Sequence, residues 1–213
     1  MTKVILWDND GVLVDTERFY FEATRSVLAE VGAALTITIY QEFLLKRSEG
    51  AWHLAVEAGV PSEEIPRLRA ERDLRYSQLL SGQSLAMDHA LETLKKLRPR
   101  FRMGVVTSSR REHFELIHRT SGLLPFFDFV LTREDYIHSK PDPEPYLLAV
   151  QRAGVTPSEC LVIEDSERGL CSAKAAGLPC WVIPNTMTAD GDFAGADRVL
   201  TSIPEVAALL LSS

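Results

Sequence analysis

The sequence has no long hydrophobic run, few cysteines and no excess of positive charge. Its apolar stretches fall short of the about 18 residues that a membrane-spanning helix needs, and the first three residues lead directly into a predicted strand, so we expect neither a membrane span nor a signal peptide. The three cysteines form no Cys-x-x-Cys pair, which argues against a structural zinc site or a disulfide framework. The net charge of −7 disfavours nucleic acid and anionic membranes as partners. We therefore expect a cytoplasmic protein.

The first strand-like stretch of the chain ends in acidic residues. Residues 4–12 read Val-Ile-Leu-Trp-Asp-Asn-Asp-Gly-Val, which predicts a strand buried on both faces with Asp8 and Asp10 at its carboxyl end. Open α/β sheets keep their binding sites at that end. Alternate residues of an extended chain point the same way, about 6.6 Å apart, so the two carboxylates can face one small volume.

Two carboxylates this close repel each other, and a divalent cation relieves the repulsion. Mg²⁺ takes oxygen ligands and favours sites that combine one or two carboxylates with phosphate oxygens. Gly11 has no Cβ and lets a ligand approach the backbone closely. The motif therefore indicates Mg²⁺ and a phosphoryl group, although a polar turn after a strand is an equally good interpretation of these four residues alone.

A long stretch without strand character follows. Apolar residues recur at three- and four-residue spacing in residues 17–31, 39–58 and 62–80, which predicts three helices. Ser62 is the predicted N-cap of the third helix, with acidic residues in its first turn. We therefore expect an all-helical insert.

Helices and strands alternate in the rest of the chain. Helices are predicted at residues 88–97, 110–121, 144–153, 167–176 and 203–211, and strands at residues 103–107, 129–132, 160–164, 179–183 and 198–200. Such alternation with short loops indicates a parallel sheet with helices on both faces. The predicted fold is α/β, with a doubly wound, Rossmann-like core of residues 1–14 and 84–213. An all-helical cap domain of residues 15–83 is inserted after the first strand and is expected to pack over the carboxyl ends of the strands.

Three more segments carry polar residues where the sheet would hold a site. Thr107 and Ser108 follow one strand and precede a helix whose first amides could hold a phosphate. Lys140 lies in a loop stiffened by prolines, and Glu164 and Asp165 end another strand. Taken alone, each segment has an ordinary interpretation as a helix cap, a solvated lysine or an acidic turn.

Taken together, the motifs resemble those of a known family. The order Asp-x-Asp-Gly-Val, Thr-Ser-Ser, Lys-Pro-Asp-Pro and Glu-Asp is similar to that of the haloacid dehalogenase-like (HAD) hydrolase superfamily. The chain most resembles the branch with a helical cap, which includes the phosphoglycolate phosphatase and β-phosphoglucomutase-like proteins, and the resemblance covers essentially the whole chain. It implies a Mg²⁺-dependent phosphohydrolase that cleaves a small phosphorylated metabolite through an aspartyl-phosphate intermediate.

The resemblance also implies a role for each matching residue. Asp8 would be the nucleophile and Asp10 the general acid and base, and both would bind Mg²⁺, Asp10 through its backbone carbonyl. Lys140 would hold the nucleophile and the phosphate together. The other implied site residues are the phosphate-binding Thr107 and Ser108 and the metal-binding Glu164 and Asp165.

Other functions match parts of this pattern. A β-phosphoglucomutase-like sugar phosphomutase would share these residues and differ in the cap, where Glu49 stands in place of a phosphate-binding arginine unless the alignment slips to Arg47. A 2-haloacid dehalogenase typically lacks the second aspartate of the first motif, and a receiver-like signalling domain would be much shorter. A catalytically silent interaction protein would not need every motif intact. No motif identifies the substrate or the oligomeric state, and the five histidines are expected at the surface or in the packing.

Overall fold

The computed structural model describes residues 2–82 and 84–212. The strands in this part of the chain are β1 Val4–Trp7, β2 Arg102–Val106, β3 Phe129–Leu131, β4 Cys160–Glu164, β5 Cys180–Val182 and β6 Arg198–Val199. The α-helices are α1 Glu17–Glu30, α2 Ile37–Tyr40, α3 His53–Glu57, α4 Ile65–Leu80, α5 Ala90–Leu97, α6 Arg111–His118, α7 Glu144–Ala153, α8 Glu167–Ala175 and α9 Ile203–Leu211. None of these described helices combines the length and apolar character that crossing a membrane requires.

The chain divides into two compact units. The first unit comprises the residues up to Asp15 together with those from Ser84 onward, and the second unit begins at Thr16. The sequence predicted an insert over residues 15–83, and residue 83 lies outside the described residues. The role of the second unit as a cap domain stays a prediction.

The first unit is built on a six-stranded parallel sheet. The strand order is β3-β2-β1-β4-β5-β6, and every neighbouring pair runs parallel. This is the doubly wound order, so the predicted α/β class with a parallel sheet is confirmed. The order reverses between β1 and β4, and such a reversal opens a crevice at the carboxyl ends of the two strands.

Strand β1 lies at the centre of the sheet, and its side chains, all apolar, suit this buried position. Val4, Ile5, Leu6 and Trp7 are fully buried, as expected for a parallel strand covered by helices on both faces. Leu6 lies opposite Gly104 of β2 on one side and a residue of β4 on the other. The central position of β1 carries the residue that follows it, Asp8, to the crevice.

The second unit is helical, and one of its predicted helices is wrong. Residues 39–58 do not form a continuous helix: α2 passes into a π-helical segment, Gln41–Lys46, and a separate helix, α3, begins only at His53. Ser48 and Gly50 both have positive φ angles, of 59° and 79°, which a right-handed helix cannot accommodate. The apolar spacing is therefore shared by two short helices with a turn between them.

The predicted N-cap at Ser62 is also wrong. Ser62 lies inside a short 3₁₀ turn, Ser62–Glu64, and its side chain caps neither that turn nor α4. Helix α4 instead begins at Ile65, with Pro66 in its first turn. A proline there has no N–H that would need a capping partner, which reduces the need for one.

Candidate active site

The carboxyl ends of β1 and β4 bring together the acids that the sequence predicted. Asp8 directly follows β1, Glu164 ends β4 and Asp165 follows it, beside the crevice where the strand order reverses. Each of the three offers a carboxylate oxygen, and these oxygens lie within 4.8 Å of one another. Lys140 reaches the same place and is only 2% exposed, so its interpretation as a solvated loop lysine is wrong.

The Lys140 ammonium group contacts three oxygen atoms. Its Nζ donates to Asp8 Oδ1 at 2.6 Å, to Glu164 Oε1 at 2.6 Å and to the Val106 carbonyl at 2.8 Å. Burial alone would lower the pKa of Lys140, but the carboxylates of Asp8 and Glu164 outweigh burial and raise that pKa above its usual value. Lys140 is therefore charged at every pH at which the protein would work.

Glu164 is fully buried and accepts four hydrogen bonds. Its Oε1 accepts from Lys140 Nζ and, at 2.6 Å, from the Tyr146 hydroxyl. Its Oε2 accepts from the Asp165 amide at 3.3 Å and from the Ser166 hydroxyl at 3.2 Å. Glu164 is thus the internal counter-charge of Lys140. The sequence did not single out Tyr146, whose helical position carries no signal of this contact.

The Asp8 carboxylate lies in an environment that disfavours its charge. Burial first, and then repulsion by Glu164 and Asp10, together raise the pKa of Asp8 to about 7 against the opposing effect of Lys140. Lys140 forms ion pairs with two of the three neighbouring carboxylates, Asp8 and Glu164, and Asp165 adds a third acid to the cluster. This set of hard oxygen donors with surplus negative charge fits a divalent cation such as Mg²⁺, which would favour the ionised form of Asp8.

Asp165 lies against the backbone of Gly11. A Cβ at residue 11 would be 2.2 Å from Asp165 Oδ2, and Gly11 has a φ of 85°, so both space and backbone conformation require glycine here. The same Asp165 oxygen accepts a hydrogen bond from Asn185 Nδ2 at 2.7 Å. Asn185 was not among the predicted site residues, although its position soon after β5, at another strand end, was a usable signal.

Three side chains donate hydrogen bonds to the same oxygen of Asp10. Asp10 Oδ2 accepts from Ser109 Oγ at 2.7 Å, from Thr107 Oγ1 at 3.0 Å and from Asn9 Nδ2 at 3.2 Å. The hydroxyl of Ser108 is buried and makes no hydrogen bond of standard geometry to any residue that the structure describes. Thr107 is therefore brought to Asp10, whereas Ser108 is not, and Ser109 is a further contact that the sequence analysis did not single out.

His118 is a buried histidine beneath the site. It is 4% exposed, its Nε2 lies 2.8 Å from Asn9 Oδ1 and its Nδ1 lies 2.8 Å from Ser121 Oγ. Burial lowers the pKa of His118 to about 4, although the negative charge of Asp10 partly opposes this effect. The imidazole is therefore neutral near pH 7, in agreement with the expected packing role.

The buried neutral histidine should make the fold sensitive to acid. In the unfolded chain His118 binds a proton below about pH 6.5, whereas in the folded protein it does so only below about pH 4, so stability falls as the pH drops between these values. We expect His118 to account for about 2 kcal/mol of the free energy of unfolding lost between pH 7 and pH 4.5. Urea unfolding of the wild type and of His118→Gln at both pH values measures this share. Equal losses in the two proteins would contradict it.

Two arginines of the second unit differ in their surroundings. Arg47, the residue considered as a second phosphate ligand, is half exposed and pairs with Glu42 at 2.6 Å. Arg72 is buried, and its guanidinium carbon lies 4.3 Å from the centre of the Tyr20 ring and 5.6 Å from that of Trp52. Arg47 is thus paired with an acid of its own unit.

The sequence and fold are similar to those of known proteins. The model of the haloacid dehalogenase-like hydrolase family matches residues 2–177. The chain is 32% identical to the validoxylamine A 7′-phosphate phosphatase of Streptomyces hygroscopicus subsp. limoneus, over 97% of this chain and 96% of that protein. It is also 32% identical to the phosphorylated carbohydrates phosphatase of Thermotoga maritima, over 83% of this chain and 82% of that protein. The crystal structure of CbbY from Rhodobacter sphaeroides in complex with phosphate superposes with a TM-score of 0.81 at 26% identity, covering 97% of this chain and 96% of that one.

Proposed function

The chain belongs to the haloacid dehalogenase-like hydrolase family and is a phosphatase, and from this we propose that it hydrolyses a small phosphomonoester through an aspartyl phosphate on Asp8, with Mg²⁺ as cofactor. Phosphorylated carbohydrates are the first substrate class to test, because they are named in one of its relatives. The contact of Lys140 Nζ with Asp8 Oδ1 in a buried cluster carries the proposal, since it places a permanent cation beside the nucleophile.

The first chemical step forms the covalent intermediate. An oxygen of ionised Asp8 attacks phosphorus in line with the leaving group, and the bond from phosphorus to the substrate oxygen breaks as the Asp8–phosphorus bond forms. Asp10 donates a proton to the departing oxygen, which leaves as an alcohol. Lys140, already oriented by Glu164 and Val106, offsets the negative charge of the transferred phosphoryl oxygens without having to reorganise.

The second step restores the enzyme. Asp10, now ionised, takes a proton from water while the water oxygen attacks phosphorus, and inorganic phosphate leaves with Asp8 again a carboxylate. We propose that Asp8, Asp165 and the Asp10 carbonyl hold Mg²⁺, with Glu164 as a further candidate ligand. Bound there, Mg²⁺ supplies positive charge that neutralises phosphate oxygens and disfavours protonation of Asp8. Thr107 and Ser108 are proposed to contact the phosphate.

Removal of metal or of its proposed ligand tests the cofactor assignment. We expect turnover of phosphorylated sugars to require Mg²⁺ and to stop with chelator. Asp165→Asn replaces a charged ligand by a neutral one, so the Mg²⁺ concentration for half-maximal rate should rise by about tenfold or more. Asp190→Asn, an exposed acid of the same unit, is the matched control and should leave this concentration unchanged. An unaltered Mg²⁺ requirement in Asp165→Asn would assign the ligand to another residue.

A phosphomutase is the second candidate, and the second unit argues against it. A mutase needs a cation for the second phosphate of a bisphosphate, but Glu49 is acidic and Arg47 is paired with Glu42. We therefore expect water to accept the phosphoryl group. Product analysis with β-glucose 1-phosphate and a bisphosphate primer measures how the phosphoryl group is divided between water and a sugar hydroxyl. Glucose 6-phosphate formed faster than free phosphate would establish the mutase instead.

Two further parts of the proposal concern substrate selection and cellular location. We assign the choice of substrate to the second unit, acting as the cap domain of this family branch. Cys160, Cys171 and Cys180 are all free thiols, which is consistent with a reducing compartment, and we propose that the protein is cytoplasmic.

A further inference from the structure

A series of hydrogen bonds connects Ser121 to Asp10 through two buried side chains, His118 and Asn9. Ser121 Oγ lies 2.8 Å from His118 Nδ1, His118 Nε2 lies 2.8 Å from Asn9 Oδ1, and Asn9 Nδ2 lies 3.2 Å from Asp10 Oδ2. Asn9 is fully buried and both His118 and Ser121 are buried. None of the predicted roles uses Asn9 or His118.

The direction of these bonds follows from the contact with Asp10. Asn9 Nδ2 donates to Asp10 Oδ2, so the amide oxygen of Asn9 is the atom that faces His118. That oxygen requires a proton on His118 Nε2. Neutral His118 then has a lone pair on Nδ1, which accepts from the Ser121 hydroxyl. Each donor in this series, from the Ser121 hydroxyl to Asn9 Nδ2, therefore donates in the direction of Asp10.

Burying the polar side chains of Asn9 and His118 lowers the stability of the fold relative to apolar side chains at the same positions. The Asn9 amide and the His118 imidazole lose their hydration on burial, and the hydrogen bonds to each other, to Asp10 and to Ser121 offset this loss. An apolar neighbour already packs against the imidazole, since the ring centres of Phe114 and His118 lie 4.3 Å apart. The series ends at the Asp10 carboxylate, which gains a hydrogen-bond donor from it.

We propose that Asn9 and His118 are positioning residues that hold the Asp10 carboxylate for proton transfer, an inference that rests on the proposed phosphatase function. Asn9 is the third donor on Asp10 Oδ2, beside Thr107 and Ser109. Both hydroxyls can rotate away about their own bonds, whereas the Asn9 amide is fixed by His118 Nε2. His118 thus acts on Asp10 through Asn9, without touching Asp10 or the substrate.

The proposal predicts a defect that depends on the leaving group. Proton donation by Asp10 matters when a basic oxygen departs and matters little when the departing anion is already stable. Phenyl phosphate and p-nitrophenyl phosphate share one ring shape and differ in this property. A misplaced Asp10 should therefore slow transfer from phenyl phosphate to Asp8 more than transfer from p-nitrophenyl phosphate.

Two amide substitutions of His118 separate positioning from packing. The amide nitrogen of His118→Gln reaches the place of Nε2 and can still donate to Asn9, whereas that of His118→Asn reaches only the place of Nδ1. In single-turnover measurements with Mg²⁺, we expect His118→Asn to slow phenyl phosphate about fivefold, the effect of one lost hydrogen bond, and p-nitrophenyl phosphate less than about twofold. His118→Gln should recover most of the rate with phenyl phosphate.

A double variant guards against a purely structural effect. Asn9→Leu combined with His118→Leu removes both polar partners at once, which should restore stability toward that of the wild type while leaving the phenyl phosphate rate low. Equal slowing of both substrates, or equal loss in His118→Gln and His118→Asn, would overturn the positioning role and leave the phosphatase function standing. A wild type that cleaves neither substrate nor any phosphorylated sugar would overturn both.

Discussion

Replacing Asp8 with asparagine is expected to abolish phosphatase activity while the fold remains intact. The asparagine side chain has nearly the same shape and its oxygen can still accept from Lys140 Nζ, but a neutral amide oxygen does not attack phosphorus. Loss of a covalent nucleophile lowers kcat by a factor on the order of 10³ or more. Initial rates with a phosphorylated sugar at saturating Mg²⁺ measure the loss.

The stability of Asp8→Asn should change little, because burial and repulsion by Glu164 and Asp10 already raise the pKa of Asp8 to about 7 and so disfavour its charge. Thermal unfolding of the variant checks this expectation. Asp190→Asn, which makes the same chemical change at an exposed position, serves as the matched control and should keep wild-type activity. Activity of Asp8→Asn within tenfold of the wild type would remove Asp8 from its role as nucleophile.

Replacing Lys140 with methionine is expected to affect both stability and catalysis. The variant keeps an apolar stem of similar length but leaves the Asp8 and Glu164 carboxylates buried without their counter-charge. Breaking a buried ion pair by removing one partner costs about 3–5 kcal/mol of the free energy of unfolding. The rate should fall on the order of 10²-fold or more, because the charge that offsets the phosphoryl oxygens is missing.

The two effects of Lys140→Met can be separated. Adding Glu164→Gln removes one of the orphaned charges, so urea unfolding should show a partial return of stability while turnover stays lost. A single variant that unfolds at the wild-type urea concentration would mean that Lys140 does not hold these carboxylates together. A double variant with restored turnover would mean that Lys140 serves the fold and not the reaction.

The strand ends of the core could be predicted because their signals are local. An apolar run followed by Asp8, and another followed by Glu164 and Asp165, identify a buried strand and its end without knowledge of the rest of the chain. Parallel strands then bring these ends to one edge. The same locality explains the failure at residues 39–58, where apolar spacing suited a helix but the left-handed Ser48 and Gly50 interrupt it.

Contacts between distant residues could not be predicted from local patterns, and the contact of Lys140 with Asp8 was expected only from the family resemblance. The burial of Lys140 depends on the acids at two strand ends, and a loop lysine has the same sequence signature whether it is solvated or enclosed. Asn9 resembles any turn residue until α6 places His118 within hydrogen-bond distance of it. Such partners are determined by packing, so a single sequence points to the reacting residues more readily than to those that orient them.

The central position of β1 has a consequence for biosynthesis. This strand leaves the ribosome before the other described strands, yet its two neighbours in the sheet begin only at Arg102 and Cys160, after the whole helical unit has been made. Contacts so distant along the chain form slowly because a long loop must close before they add stability. During synthesis the segment Val4–Trp7 therefore waits unpaired, with fully apolar side chains, and exposed segments of this kind are the ones that chaperones bind and that aggregate. The residue that defines the reaction thus follows a strand whose partners in the sheet are made much later than the strand itself.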